Sequence, residues 1–286
     1  MSRSTSTGQD DVGPYRRLQH ALFRKRKKFR QALKYPRART EPQRCVYVAG
    51  CQRSGTNLVV NVLELNDATD VYHERDPRAF DDYYMRPDTV IDALKAKSRA
   101  PFFVIKCLLE SDRLAAFLDR SDNAKGLWVY RHFNDVVRSL LASWPDDRND
   151  IDEIVEERCA GDWRARGLSD GSYATVRRLY RPDIDNASAQ ALFWLIRNSL
   201  YFDNGFDKDT RILLVRFDDL VDDSAETVTR IADFLDMDTT SAMLDMPNRG
   251  RVRKKSVLDI DPAILEQCEA LRALLDETWE RAKAAR

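Results

Sequence analysis

The octapeptide Gly50-Cys51-Gln52-Arg53-Ser54-Gly55-Thr56-Asn57 concentrates the residue types that could do chemistry in this chain. It follows the apolar run Cys45-Val46-Tyr47-Val48-Ala49 and precedes Leu58-Val59-Val60, so it reads as a strand, a glycine-bounded loop and a helix start. Two glycines with four residues between them let the backbone curl until successive N–H groups face an anion. A helix opening near Thr56 adds its positive dipole end. A nucleoside-triphosphatase loop would carry lysine directly after its second glycine. Here Thr56 follows Gly55, and the only cation inside the loop is Arg53. Phosphate binding is therefore expected, and ordinary ATP or GTP hydrolysis is not.

The elements that must position this loop recur along the chain. Strand-like runs fall at 45–49, 102–106, 127–130 and 211–217, with helical periodicity near 56–65, 88–97, 111–120, 133–143, 187–202, 224–236 and 262–284. Short continuous apolar strands between amphipathic helices predict an α/β fold with a parallel sheet flanked by helices. In such a sheet, ligands collect beyond the carboxyl ends of the strands. That rule selects the loop itself, Lys106, Arg131 with His132, and Asp218-Asp219. Ser139, eight residues after Arg131, would lie two turns into the next helix. Residues 145–186 break the rhythm and predict a lid or specificity insertion over the site.

Formal net charge is zero, but 13 Lys/Arg against 3 Asp/Glu in residues 1–44 leave a body of net −10. A nucleic-acid partner is not expected of an acidic body. Five scattered cysteines without a C-x-x-C pair, and three distant histidines, point to reduced thiols and no metal cluster. No run of 18 apolar residues predicts a membrane span, and the first residues lack a secretory h-region; a cytoplasmic location, with or without peripheral membrane contact, is the expectation. Residues 1–43 read as a basic extension, partly disordered or helical, before a domain over 44–286. Its segment 15–34 carries Leu18, Ala21, Leu22, Phe29, Ala32 and Leu33 at helical spacing. Two readings are open: a solvated helix packed on the domain by this stripe, or a helix for a membrane surface or anionic partner.

Three motifs in order resemble those of sulfotransferases that use 3′-phosphoadenosine 5′-phosphosulfate (PAPS). The first is Gln52-Arg53-Ser54-Gly55-Thr56-Asn57-Leu58, similar to the family's 5′-phosphosulfate loop. The second is Arg131-His132-Phe133 with Ser139, similar to its 3′-phosphate site, with Trp144 ending the helix. The third is Val215-Arg216-Phe217-Asp218-Asp219-Leu220-Val221, with Phe234-Leu235 beyond it. The match spans about residues 45–236. Phe133 replaces a usual proline, and Arg53 replaces the lysine of the cytosolic hormone and drug enzymes. That substitution places the chain nearer the bacterial, Golgi carbohydrate and tyrosylprotein types.

The resemblance implies a P-loop-like three-layer fold and transfer of a sulfuryl group from PAPS to an acceptor hydroxyl, leaving 3′-phosphoadenosine 5′-phosphate (PAP), without metal. Arg53, Lys106 and Glu74 become the catalytic expectations, with Gln52, Arg53, Ser54, Gly55, Thr56, Asn57, Arg131 and Ser139 binding the nucleotide. Glu74, 21 residues past Arg53, resembles the base of the Arg-type enzymes, with His73 as competitor. The basic run at 248–256 offers Arg251, Arg253 and Lys254 for the 3′-phosphate, or simply a solvated surface. The acceptor, a carbohydrate, glycolipid or small metabolite, would meet His73, Arg78, Tyr83 and Tyr84, and residues of the insertion such as Trp163, Tyr173 and Tyr180. A P-loop kinase-like phosphotransferase and an inactive nucleotide-binding module are the alternatives.

Overall fold

Seven residues, Arg44–Gly50, form strand β1, and every one from Cys45 onward is buried, because this strand occupies the middle of the sheet. The computed structural model describes residues 14–36, 41–145, 148, 151–157, 163–246 and 258–284. Helix α1 (Pro14–Lys34) precedes β1, and α2 (Thr56–Glu64), β2 (Thr69–Tyr72) and a hairpin of β3 (Phe80–Asp81) and β4 (Tyr84–Met85) follow it. The hairpin turns through Asp82 and Tyr83, both left-handed at φ 45° and 67°, as a tight two-residue β-turn requires.

Next come α3 (Asp88–Lys97), β5 (Phe102–Lys106), a 3-10 turn at Ser111–Arg113 running into α4 (Leu114–Leu118), β6 (Ala124–Tyr130) and α5 (Phe133–Ser143). The insertion contributes α6 (Ile151–Glu157) and α7 (Asp170–Leu179), and α8 (Asn186–Asp203) returns the chain to the body. The last elements are β7 (Ile212–Arg216), α9 (Phe217–Asp222), α10 (Ser224–Leu235), α11 (Ser241–Asp245) and α12 (Pro262–Ala284).

Five strands pair in the order β2-β5-β1-β6-β7, all parallel. The expected α/β sheet flanked by helices is thus the observed one. Alternation along β1 sends Cys45, Tyr47 and Ala49 into one apolar layer and Val46 and Val48 into the other. The first layer is closed by α5, α8 and α12, and the second by α2 and α10. Helix α8 is apolar nearly all round because α5, α6, α7 and α12 all pack on it.

Two features depart from the expectations. β2 forms an edge strand outside the four strand-like runs read from the sequence, since Thr69-Asp70-Val71-Tyr72 shows no continuous apolar run. Helix α1 packs the opposite way from its stripe-inward reading. Lys27 and Gln31 are its buried residues, while Leu18, Leu22, Phe29 and Leu33 stand 59%, 46%, 66% and 74% exposed. Its inward face is polar because β2 presents polar groups. Lys27 Nζ donates to the Glu64 carbonyl and to Thr69 Oγ1, and Gln31 Nε2 donates to the carbonyls of Asp67 and Thr69. Lys28 pairs with Asp70, and Arg30 forms a two-point pair with Asp67 at 2.7 and 2.8 Å. The open edge of the sheet is covered in this way.

Candidate active site

The loop after β1 folds by positive-φ backbone at three places: Gly50 at 137°, Arg53 at 64° and Gly55 at 94°. At two of these, close approach adds a second reason for glycine. A Cβ on Gly50 would meet the Val129 carbonyl oxygen at 2.2 Å, and one on Gly55 would meet the Phe217 ring at 2.0 Å. Gly55 caps α2 without any side-chain bond, so the first N–H groups of the helix keep no side-chain partner. Thr56 is buried at the helix start. Ser54 is buried against the Cys51 thiol, which burial pushes up to about 12. Gln52 is half-buried beside them.

Arg53 leans across to α5. Its Nε donates to Ser139 Oγ at 2.8 Å, and its guanidinium lies 5.6 Å from the centre of the Trp144 ring. The loop arginine and the serine expected beside Arg131 are therefore joined directly. Arg131, at the end of β6, rests its guanidinium 4.6 Å from the Phe217 ring centre and lies 3.3 Å from Asp135. Phe217 thus stands between Gly55 and Arg131 and links the loop to the second strand end. The place of the usual proline is filled by Phe133, fully buried and edge-on to Trp194 at 5.7 Å. Trp194 Nε1 in turn donates to the Arg131 carbonyl at 3.0 Å, so a buried indole holds the turn that a proline would stiffen. His132 Nδ1 accepts from the Asn134 N–H at 3.2 Å, as a capping turn residue does, and burial lowers its pKa.

On the other side of β1, Lys106 ends β5 with 1% of its surface exposed. Its Nζ donates to Asn57 Oδ1 at 2.8 Å and lies 2.8 Å from Glu74 Oε2. Desolvation lowers the lysine pKa, and the Glu74 carboxylate offsets part of that shift. Parallel pairing of β1 with β5 sets Val48 opposite Lys106, which brings a residue 49 positions from Asn57 against it. Glu74, Lys106 and Asn57 form one chain from the end of β2 to the loop.

The remaining expected residues divide. His73 turns from Glu74 toward Glu64, with Nε2 3.3 Å from Oε2. Burial alone would raise the Glu64 carboxyl, but His73, Arg24 and His20 together hold it at about 2. Arg78 is committed to Asp76 by two bonds of 2.9 and 2.6 Å and lies 4.9 Å from the Tyr72 ring centre. Tyr83 and Tyr84 stand exposed on the hairpin, with Arg75 5.8 Å from the centre of the Tyr83 ring. Arg251, Arg253 and Lys254 lie outside the described residues. A cavity of about 240 Å³ opens beyond β6 and β7, lined by His132, Arg216 and Arg272 but also by Asp218, Asp219, Asp222 and Asp276. Those four carboxylates make it a poor place for an anion.

Two residues that position the site gave little sign in the sequence. Phe217 belongs to a recognised motif, yet its role as a wedge depends on the contact with Gly55. Arg197, fully buried on α8, donates to the carbonyls of Trp163 and Leu108 at 2.6 and 2.9 Å. It ties the insertion to the segment following Lys106. Its only signal was a lone cation in the middle of a mostly apolar helix.

No helix among the described residues is long and apolar enough to cross a membrane. No family model matches the sequence, and no curated protein does. Among solved structures, the chain is similar to the sulfotransferase domain of the olefin synthase of Synechococcus PCC 7002, at 16% identity over 87% of this chain and 98% of that one, with a TM-score of 0.45. It is similar to a sulfotransferase from Alicyclobacillus acidocaldarius at 14% identity, 85% and 96% coverage and a TM-score of 0.46. A mouse sulfotransferase complexed with PAP gives 14% identity, 73% and 65% coverage and a TM-score of 0.44. These likenesses are loose, and the functional reading rests on the chain's own residues.

Proposed function

We propose that the protein transfers a sulfuryl group from PAPS to an acceptor hydroxyl. The observation that carries this reading is the convergence of Arg53, Lys106, Asn57 and Glu74 on one phosphate-binding loop, with Arg131 and Ser139 alongside. The loop N–H groups and Arg53 would hold the 5′-phosphosulfate, and Arg131 with Ser139 the 3′-phosphate. In the reaction the bond from sulfur to the phosphate oxygen breaks as a bond from the acceptor oxygen to sulfur forms. Negative charge then grows on the bridging oxygen, where a fixed cation lowers the barrier most.

The contact between Lys106 and Glu74 gives the resting site a defined logic. In the resting site the carboxylate is occupied by the ammonium, 2.8 Å away, rather than turned to an acceptor. A sulfuryl group entering beside Asn57 would draw the ammonium toward it and release Glu74 to take the acceptor proton. The acceptor is a carbohydrate, glycolipid or small metabolite, and the exposed aromatic pair Tyr83 and Tyr84 suits the flat face of a sugar ring. Arg78, already bound to Asp76, is better placed to hold the hairpin's approach than to bind an acid on the acceptor.

Calorimetry with PAP and with ATP, each with and without magnesium, tests the donor. Metal-independent, micromolar-range binding of PAP supports the reading, whereas preference for ATP with magnesium would assign a phosphotransferase instead. Glu74→Gln should abolish sulfuryl turnover while PAP binding survives. Full activity in that variant would remove Glu74 from the role of base.

A further inference from the structure

The exposed stripe of α1 is unaccounted for by either the fold or the site. At 100° per residue, Leu18, Leu22, Phe29 and Leu33 lie within an arc of about 60°. That arc points directly away from Lys27 and Gln31, the residues that seat the helix on β2. Four large apolar side chains, each between 46% and 74% exposed, therefore form an outward ridge of two pairs, Leu18 with Leu22 and Phe29 with Leu33. Lys25 and Arg26 project from the same side, both exposed and without an ion-pair partner among the described residues. The carboxylates that α1 does meet among the described residues, Glu64, Asp67, Asp70 and Asp76, pair with Arg24, Lys28 and Arg30 and with no residue of the ridge.

We infer that this face of α1 docks the protein on an anionic lipid surface. A helix with an apolar ridge and basic residues among and beside it lies in the plane of a membrane interface, its ridge at the acyl boundary and its cations at the headgroups. A second copy of the chain is a poorer occupant. Lys25 and Arg26 fall at the midpoint of the ridge, so two such ridges paired about a twofold axis would set these cations against their own counterparts. The inner ion pairs leave the helix fixed to the sheet edge while the ridge is engaged, so binding needs no unfolding. The inference is independent of the sulfotransferase reading, because it uses no residue of the loop.

Flotation of the full chain with vesicles of phosphatidylcholine, with and without phosphatidylglycerol, tests it. The protein should float only with the anionic vesicles. Lys25→Gln/Arg26→Gln should weaken partitioning about 30-fold, from a fivefold loss or so per charge. Phe29→Ser/Leu33→Ser should abolish it, with the thermal midpoint and PAP binding unchanged because both side chains are exposed. Phe29→Trp should add blue-shifted emission on the anionic vesicles alone. Absence of flotation, or flotation untouched by Phe29→Ser/Leu33→Ser, overturns the inference. Dimerisation seen by light scattering and lost in Phe29→Ser/Leu33→Ser would overturn it in favour of self-association, and binding to polyglutamate without vesicle binding in favour of an acidic protein partner.

Discussion

Two groups of cations in this protein are handled in opposite ways. Along the β2 edge, Arg24, Lys28 and Arg30 each meet a carboxylate, at distances from 3.1 Å for Arg24 with Glu64 down to 2.5 Å for Lys28 with Asp70. At the loop after β1, Arg53 meets a hydroxyl and an indole face. A cation matched to a carboxylate is held in place by a charge that an incoming anion must displace. A cation resting on a ring and a hydroxyl keeps its charge available at little cost. Lys106 lies between the two patterns, paired with Glu74 but poised beside Asn57. Cations that build the fold are thus told apart from one whose charge no described carboxylate matches.

The largest effects should follow from attacking the second group. Arg53→Ala and Lys106→Ala should each lower sulfuryl turnover by about 10²–10³-fold, the usual loss for one donor at a developing oxyanion. Steady-state rates with saturating donor would check this. Because burial lowers the Lys106 pKa, its ammonium is lost at a lower pH than an ordinary lysine's. The alkaline limb of the rate profile should therefore begin below the usual lysine range, and it should disappear in Lys106→Ala residual activity.

Gly55→Ala tests the loop backbone rather than its charge. Positive φ and collision with the Phe217 ring should together cost about 1–3 kcal/mol and reduce PAP affinity more than tenfold. Denaturant unfolding with and without PAP would show both losses. Phe217→Ala in the same chain should recover part of the affinity, since it removes the collision but not the strain.

Smaller effects belong to the β2 edge and should leave turnover unchanged. Lys27→Ala strips the donor from the Glu64 carbonyl and Thr69 Oγ1 and should cost about 1–3 kcal/mol. Lys27→Met should cost less. Burial already drags this lysine down to about 8 against its neighbouring carboxylates, so the charge itself is expensive to keep. Glu64 adds an acid dependence. Its folded pKa of about 2 lies below its ordinary 4.5, so its stabilisation is complete above about 4.5 and is lost as the pH falls toward 2. Protection of the α1 amides, taken relative to the intrinsic exchange rate at each pH, should fall over that window, and Glu64→Gln should flatten the response. Arg30→Ala, at a pair whose arginine is exposed and whose Asp67 is half-buried, should cost less than about 1 kcal/mol.

Local chemistry explains which parts were legible in the sequence. Four of the five sheet strands announced themselves because buried parallel strands need unbroken apolar runs. β2 did not, since its polar residues serve α1 rather than a core. Of the two readings of α1, the stripe-inward one fails for a related reason: amphipathic reasoning assumes that the apolar side faces protein, and here the sheet edge asked for donors. Arg53, Lys106 and Arg131 were found as strand-end cations, a position that topology dictates. Their partners were not, because Arg53 with Ser139 and Phe217 with Gly55 join residues brought together only by the parallel pairing of β1, β6 and β7.

Cys51 gives the loop one last property. A thiol in the middle of an anion cradle, one residue from glycine and two from arginine, invites the thought of a redox trigger. Its burial instead raises it to about 12, which leaves only about one thiolate in 10⁵ at neutral pH. Peroxide and alkylating reagents should find almost nothing there to attack. The loop proposed to hold the phosphosulfate is thereby expected to be chemically silent toward oxidants.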